Sequence, residues 1–147
     1  LLEKRENGEW DNVFIIHPTN FNSTDRKDGF LFSKIFDSII NETKIEVGDL
    51  EIYRDIIHTK YLIDESINCN EDKIVASGYL TNIKDFVKKL YSLNGLNYED
   101  YVSEQLISSP HKNNRFWLDT ERKYNDLIQD TTDDIRNKKN NLSKRHN

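Results

Sequence analysis

Arg54 and the neighbouring Asp55 are the residues of this chain best suited to hold a charged ligand. A guanidinium presents a planar fork of N–H donors that matches diphosphate oxygens, and an adjacent carboxylate can hold the fork in place. Arg54 follows Tyr53 on an extended segment closed by Ile56 and Ile57, and Asp55 is its expected carboxylate partner. The plain alternative is a purely structural Arg–Asp pair. Asn20 is a second candidate. It follows the apolar run Val13-Phe14-Ile15-Ile16, closed by His17-Pro18. That places it at the carboxyl end of a strand, where open α/β sheets bind ligands. An Asx-turn would explain it equally simply. Lys34 falls off the apolar stripe of its helix, with Leu31 one turn earlier on a similar face. The two can border a cleft; otherwise Lys34 is a snorkelling surface residue. His58 and Lys60 are read as structural.

Other chemistries are missing from the sequence. There is no Gly-x-Gly-x-x-Gly, and the chain has only 5 glycines, so a self-contained dinucleotide or P-loop site is not expected. The four histidines, at 17, 58, 111 and 146, lack zinc-type spacing and have no Cys pair beside them. No Gly-x-Ser-x-Gly elbow is present. The many carboxylates are expected on solvated faces.

The elements that must position the candidates follow from periodicity. Val13 to Ile16 and Ile74 to Gly78 read as buried strands, apolar on both faces as parallel strands require. Asn20 to Gly29 is polar and reads as a loop. Phe32, Ile35, Phe36, Ile39 and Ile40 form the stripe of a helix. Lys44 to Val47 is a brief strand before a Gly48-Asp49 turn, and Ile52 to Ile57 is extended. Thr59 is expected to cap a short helix through Ile67, and Thr81 a helix with Ile83, Phe86, Val87, Leu90 and Tyr91 inward, ended by Asn94-Gly95. Tyr98 to Ile107 reads as a turn of helix and then a strand. Asp119 or Thr120 should cap a last helix carrying Tyr124, Leu127, Ile128, Thr131 and Ile135. Strands alternating with helices indicate an α/β domain.

The chain has 147 residues, 35% hydrophobic and 32% charged, with net charge −5. It fits one domain, here 1–136, with 137–147 as a basic flexible tail. The negative balance argues against nonspecific nucleic-acid binding. No apolar run approaches the roughly 20 residues that span a bilayer. One cysteine, Cys69, cannot form an internal disulfide, and a cytoplasmic setting is expected. The sequons at Asn22, Asn41 and Asn141 are read as chance. With no Met, and with Leu1 to Arg5 reading as the end of a helix begun earlier, the chain is expected to be part of a longer one.

Several segments, in order, resemble the extended short-chain dehydrogenase/reductase family, and within it the GDP-mannose 4,6-dehydratases. They are Ile15-Ile16-His17-Pro18-Thr19-Asn20 with Ser23 and Arg26; Phe30-Leu31-Phe32-Ser33-Lys34-Ile35; Val47-Gly48-Asp49 leading to Arg54-Asp55, His58 and Lys60; Ala76-Ser77-Gly78 and the helix after it; and Leu96-Asn97-Tyr98 through Pro110 to Leu118-Asp119. The resemblance implies the C-terminal part of such an enzyme: the last strands of a Rossmann-type sheet plus a small substrate-binding lobe. It also implies an NADP-dependent lyase acting on a nucleotide sugar, a GDP-hexose, within a homo-oligomer. NADP would be bound mainly by a preceding Rossmann half, which would also carry the catalytic Ser/Thr, Tyr and Lys. No Tyr-x-x-x-Lys occurs here, so this part alone is expected to be inactive.

By the same resemblance Asn20, Leu31, Lys34 and Arg54 bind substrate, and the loop with Arg26 reaches a neighbouring subunit's cofactor. There are departures. The family has an Arg before the Pro and a Glu two residues after it; here Ser109 and Lys112 stand there. Lys112 or Arg115 would have to replace that charge, and the 108–115 segment is expected to depart from the family conformation. An epimerase of the same family and a non-catalytic binding module are the competing readings.

Overall fold

The computed structural model describes residues 4, 6–8, 13–26, 29–105 and 124–145. Ile16–Pro18 (β1) and Asn20–Asn22 (β2) lead to the helix Leu31–Asn41 (α1), then Ile45–Val47 (β3), Tyr53–Arg54 (β4) and Ile56–His58 (β5). Thr59–Ile67 (α2), Lys73–Val75 (β6) and Thr81–Asn82 (β7) precede Ile83–Leu93 (α3). Tyr98–Tyr101 (α4), Val102–Glu104 (β8) and Leu127–Arg145 (α5) complete the described elements. β1 pairs with β6, β2 with β5 and β3 with β8, all parallel, while β4 and β7 are antiparallel.

The helices form where the apolar spacing predicts them. α1 buries Ile35, Phe36, Ile39 and Ile40; α3 buries Ile83, Phe86, Val87, Leu90 and Tyr91. Those stripes meet Leu127 and Ile135 of α5 and Ile56 and Ile57 of β5 in one core. Tyr91 carries a hydroxyl into it, and that hydroxyl is satisfied by Ser38 Oγ at 2.7 Å. α3 ends as expected at Asn94, with Gly95 at φ 76°.

The helix caps differ from expectation. Asn82, not Thr81, caps α3 by accepting from the Asp85 amide, because the helix begins at Ile83 and Asn82 is the residue immediately before it. His58, not Thr59, caps α2: its Nδ1 accepts from the Lys60 amide at 3.1 Å. Thr59 Oγ1 instead donates to the Asn22 carbonyl at 2.6 Å, tying α2 to β2. Asn20 to Asn22 is a strand rather than the start of a loop, because β5 offers it a parallel partner that no local pattern could reveal. The last helix begins at Leu127, after Tyr124, and Asp119 and Thr120 lie outside the described residues. It also continues through Arg145, so residues 137–145 are helical where fraying was expected. Side chains tether it: Lys138 to the Thr24 carbonyl, Lys139 to Glu42, and Arg136 to the Leu93 carbonyl.

The strands β1 and β6 pair in parallel as anticipated, but they are buried on one face rather than two: Val75 is 2% exposed and sits in the core. Val13 is 38% exposed, Phe14 42% and Ile74 52%. Lys73 reaches Glu65 of α2 at 2.8 Å. Ile74, the next residue, therefore points to the opposite face. Among the described residues this pair has no third strand and its second face is bare.

Candidate functional site

Three backbone segments change partner at one place. The chain leaves β1 for β2 at Thr19, and its pairing passes from β6 to β5. It leaves β4 for β5 at Asp55, and its pairing passes from β7 to β2. After β6 it turns through Ser77 and Gly78 toward β7. Such a switch point, at the carboxyl ends of parallel strands, is where open α/β sheets leave a crevice for ligands.

Asp55 ties the junction together. It is fully buried. Its Oδ1 accepts from Ser77 Oγ (2.8 Å), the Ser77 amide (2.9 Å) and Thr19 Oγ1 (3.2 Å), and Oδ2 accepts from the Gly78 amide (3.1 Å). Gly78 sits at φ 75°, a conformation open to glycine that turns successive amides toward one anion. The expected Arg54–Asp55 pair is therefore not what forms; the carboxylate is taken up by neutral donors from β1's end and from the turn after β6. Arg54 Nη1 donates instead to the Tyr53 carbonyl at 2.7 Å.

The junction brings two of the expected binding residues together. Asn20, exposed, donates from Nδ2 to the Asp55 carbonyl at 3.1 Å, one residue beyond Arg54. Arg54 is half-buried in β4 opposite Thr81. Leu31 opens α1 and packs partly against the core, while Lys34 stands exposed on the same helix. Arg26 is engaged locally: Nη1 donates to the Phe21 carbonyl at 3.0 Å, and the guanidinium lies 3.8 Å from the Phe30 ring centre. Lys112 and Arg115, with the whole 108–115 segment, lie outside the described residues.

His58 and Lys60 are structural, as read from the sequence. His58 is buried, caps α2 through Nδ1 and meets Asp134 of α5 through Nε2 at 3.0 Å. Because Nδ1 accepts, Nε2 is the nitrogen that donates. Lys60 pairs with Asp130, whose hydrogen bond and charge raise its pKa. Tyr124 stacks on Tyr61 and donates to Asp130; burial first, then Asp130, pushes its phenol far up.

A second polar cluster braces the turn after β3. Glu104 accepts from Tyr98 (2.7 Å), Lys84 (2.9 Å) and the Leu50 amide (3.3 Å). Burial pushes its carboxyl up, but the Lys84 and Tyr98 bonds, the Leu50 amide and the Lys84 charge outweigh that and hold it below its ordinary value.

The sequence reading missed Thr19, Ser77 and Gly78 as parts of one site and misassigned the partner of Asp55. The available signal was Ser77-Gly78 directly after an apolar strand. A glycine there permits the positive φ that aims two amides at a carboxylate.

No family model matches the chain, and no curated protein matches it. Solved structures do. RMD from Pseudomonas aeruginosa, complexed with NADPH, matches over 94% of this chain and 51% of its own, with TM-score 0.68 and 16% identity. UDP-N-acetylglucosamine 4-epimerase from Methanobrevibacter ruminantium, in complex with UDP-N-acetylmuramic acid, matches over 92% and 51%, with TM-score 0.64 and 14% identity. dTDP-glucose 4,6-dehydratase from Bacillus anthracis, in complex with NAD, matches over 92% and 49%, with TM-score 0.59 and 15% identity.

The chain has the fold of about half of these α/β enzymes. It spans about half the length of the solved structures it matches. No described helix is long and apolar enough to cross a membrane.

Proposed function

We propose that this chain is the sugar-nucleotide-binding half of an NADP-dependent nucleotide-sugar 4,6-dehydratase of the GDP-mannose type. The observation that carries the reading is the junction at Thr19, Asp55 and Ser77, which ties Asn20 to the main chain one residue from Arg54 at the carboxyl ends of β1 and β6. The likeness to dehydratase and epimerase folds supports it.

In this reading Arg54 grips the diphosphate with Asn20 beside it. Leu31 and Lys34 border the nucleotide, and Lys112 and Arg115 supply the remaining charge. The protein's part is positioning, since holding the reacting sugar in place accounts for much of a rate enhancement. The residues described do not fit a dinucleotide, for no glycine-lined cradle exists among them. NADP and the proton-transferring residues would sit on a preceding Rossmann half of the polypeptide, and the bare face of β1 and β6 is the natural seat for that half. Arg26 would reach the cofactor of a neighbouring copy in a homo-oligomer only by leaving the Phe30 ring. The domain extends past residue 136 to take in the whole of α5, and the setting is cytoplasmic.

The second reading is an epimerase acting on a UDP-sugar, favoured by the fold match to an epimerase holding a UDP-linked ligand. Calorimetry on the full-length polypeptide separates the two. GDP-mannose binding tighter than UDP-sugar binding is the expected result; the reverse order favours the epimerase. If neither nucleotide binds, the reading is lost. The 147 residues alone are expected to bind no NADP and turn over no sugar nucleotide.

A further inference from the structure

We infer that Asp55 is a positioning residue for sugar-nucleotide binding: its buried carboxylate locks the ends of three backbone segments so that Arg54 and Asn20 face one ligand together. The inference rests on the proposed nucleotide-sugar reading and adds a residue that touches no ligand.

A fully buried carboxylate is costly unless its hydrogen bonds are complete. Among the described residues Asp55 makes no ion pair, and its four bonds all come from neutral donors. Those donors belong to Thr19, which immediately precedes Asn20, and to Ser77 and Gly78, which lead to Thr81, the register partner of Arg54. Arg54 itself is the residue before Asp55. Asn20 is thus one covalent step from a donor the carboxylate holds, and Arg54 one step from Asp55 itself. The main chain completes the lock, with Asn20 Nδ2 bonded to the Asp55 carbonyl. A neutral residue packed here would fill the space, but it would leave the Ser77 and Gly78 amides unanswered and let the switch point widen. Rigid support behind binding residues fixes their geometry before the ligand arrives.

A carboxamide cannot replace the carboxylate. Oδ1 takes three donors and Oδ2 one, so in Asp55→Asn an amide nitrogen must face at least one N–H or O–H.

The test is a double-mutant cycle on the full-length polypeptide, with GDP-mannose as the calorimetric probe. Asp55→Asn and Ser77→Ala are each made with and without Arg54→Ala. Each change alone is expected to weaken binding by about fivefold or more while cooperative thermal unfolding is retained. In the Arg54→Ala background the same changes should cost distinctly less than in wild type, the remainder being the share that acts through Asn20, because residues that act through one another are non-additive. Wild-type affinity in both single variants, or losses that simply add to that of Arg54→Ala, would overturn the assignment. Should Asp55→Asn not fold, Ser77→Ala and Thr19→Val, each removing donors from one side only, decide the matter by the same criterion. A wild-type protein that binds neither GDP-mannose nor a UDP-sugar removes the nucleotide-sugar reading and this assignment with it. Tight wild-type binding with additive losses removes the assignment alone.

Discussion

The two ends of this molecule bury their apolar residues to opposite degrees. In the helical lobe Ile35, Ile39, Val87, Leu90, Tyr91 and Ile135 lose essentially all contact with water. At the β1–β6 pair, Val13 and Phe14 just before β1 and Ile74 in β6 stay between 38% and 52% exposed, while Val75 beside Ile74 is buried. Apolar sequence is the same cause in both places, and the number of neighbours makes the difference. The α1 and α3 stripes close against α5 and β5 within the chain, whereas β1 and β6 reach that core through Ile16 and Val75 and, among the described residues, leave Ile74 on an uncovered face. A two-stranded sheet is not self-sufficient, and parallel strands are normally covered on both faces. The comparison separates a part whose stability is internal from a part whose apolar surface calls for further structure.

The largest expected effect tests the internal part. Leu90→Ala should cost about 2–5 kcal/mol, the usual penalty for truncating a fully buried leucine, read as a shift in urea midpoint. A loss under about 1 kcal/mol would mean the lobe is loosely packed and the contrast is false.

The Glu104 brace gives the next effect and fixes its pH window. Its carboxyl is held below the ordinary value in the folded chain. The stability this contributes is complete above the unfolded value of about 4.3 and is lost as pH falls through the folded value. Glu104→Gln should therefore be less stable than wild type at neutral pH and show a flatter decline between about pH 5 and pH 3. Urea midpoints at several pH values check this; parallel acid limbs for the two proteins would refute it.

A smaller effect is expected from the α2 cap. Asn82→Ala and His58→Ala both remove caps, and a cap is worth about 1 kcal/mol. His58→Ala should exceed Asn82→Ala, because it also leaves Asp134 without its 3.0 Å partner. Equal losses by chemical denaturation would show that the His58–Asp134 contact contributes nothing measurable.

Ile74→Ala should have the smallest effect. In the 147-residue chain it should fall within about 0.5 kcal/mol of wild type, as for an exposed site. In a longer polypeptide that covers β6, it should rise to about 2 kcal/mol or more. An unchanged small loss in the longer form would mean this face is a true surface.

Much of the fold was legible in the sequence because it is encoded locally. The periodic stripe from Phe32 to Ile40, the stripe from Ile83 to Tyr91, the Asn94-Gly95 stop and the short α4–β8 unit each need only nearby residues to be recognised. What escaped depends on distant partners. Asn20 to Asn22 becomes strand because of Ile56 to His58, and Thr81 and Asn82 become strand because of Tyr53 and Arg54. The candidate site was readable only as single residues. Asn20 and Arg54 could be picked by position and chemistry, but the link between them runs through Thr19, Asp55, Ser77 and Gly78, which no local pattern joins. Adjacency of Arg54 and Asp55 in the chain pointed to the wrong pair, because successive residues of an extended segment face opposite ways.

The pairing order has a kinetic consequence. Among the described residues no strand pairs with the next strand in the chain. β2 reaches β5 across α1, β4 reaches β7 across α2, and β1 and β3 reach their partners across two and three helices. Among the described residues there is no hairpin from which a sheet could grow, so each of these ladders must close a long loop before its first bond forms. The helices can form early and locally, but the strands must wait for the chain to the far side of those helices to be made. During synthesis β1 is exposed until β6 emerges, and β3 until β8 does. Refolding should accordingly be limited by long-range closure rather than by helix formation.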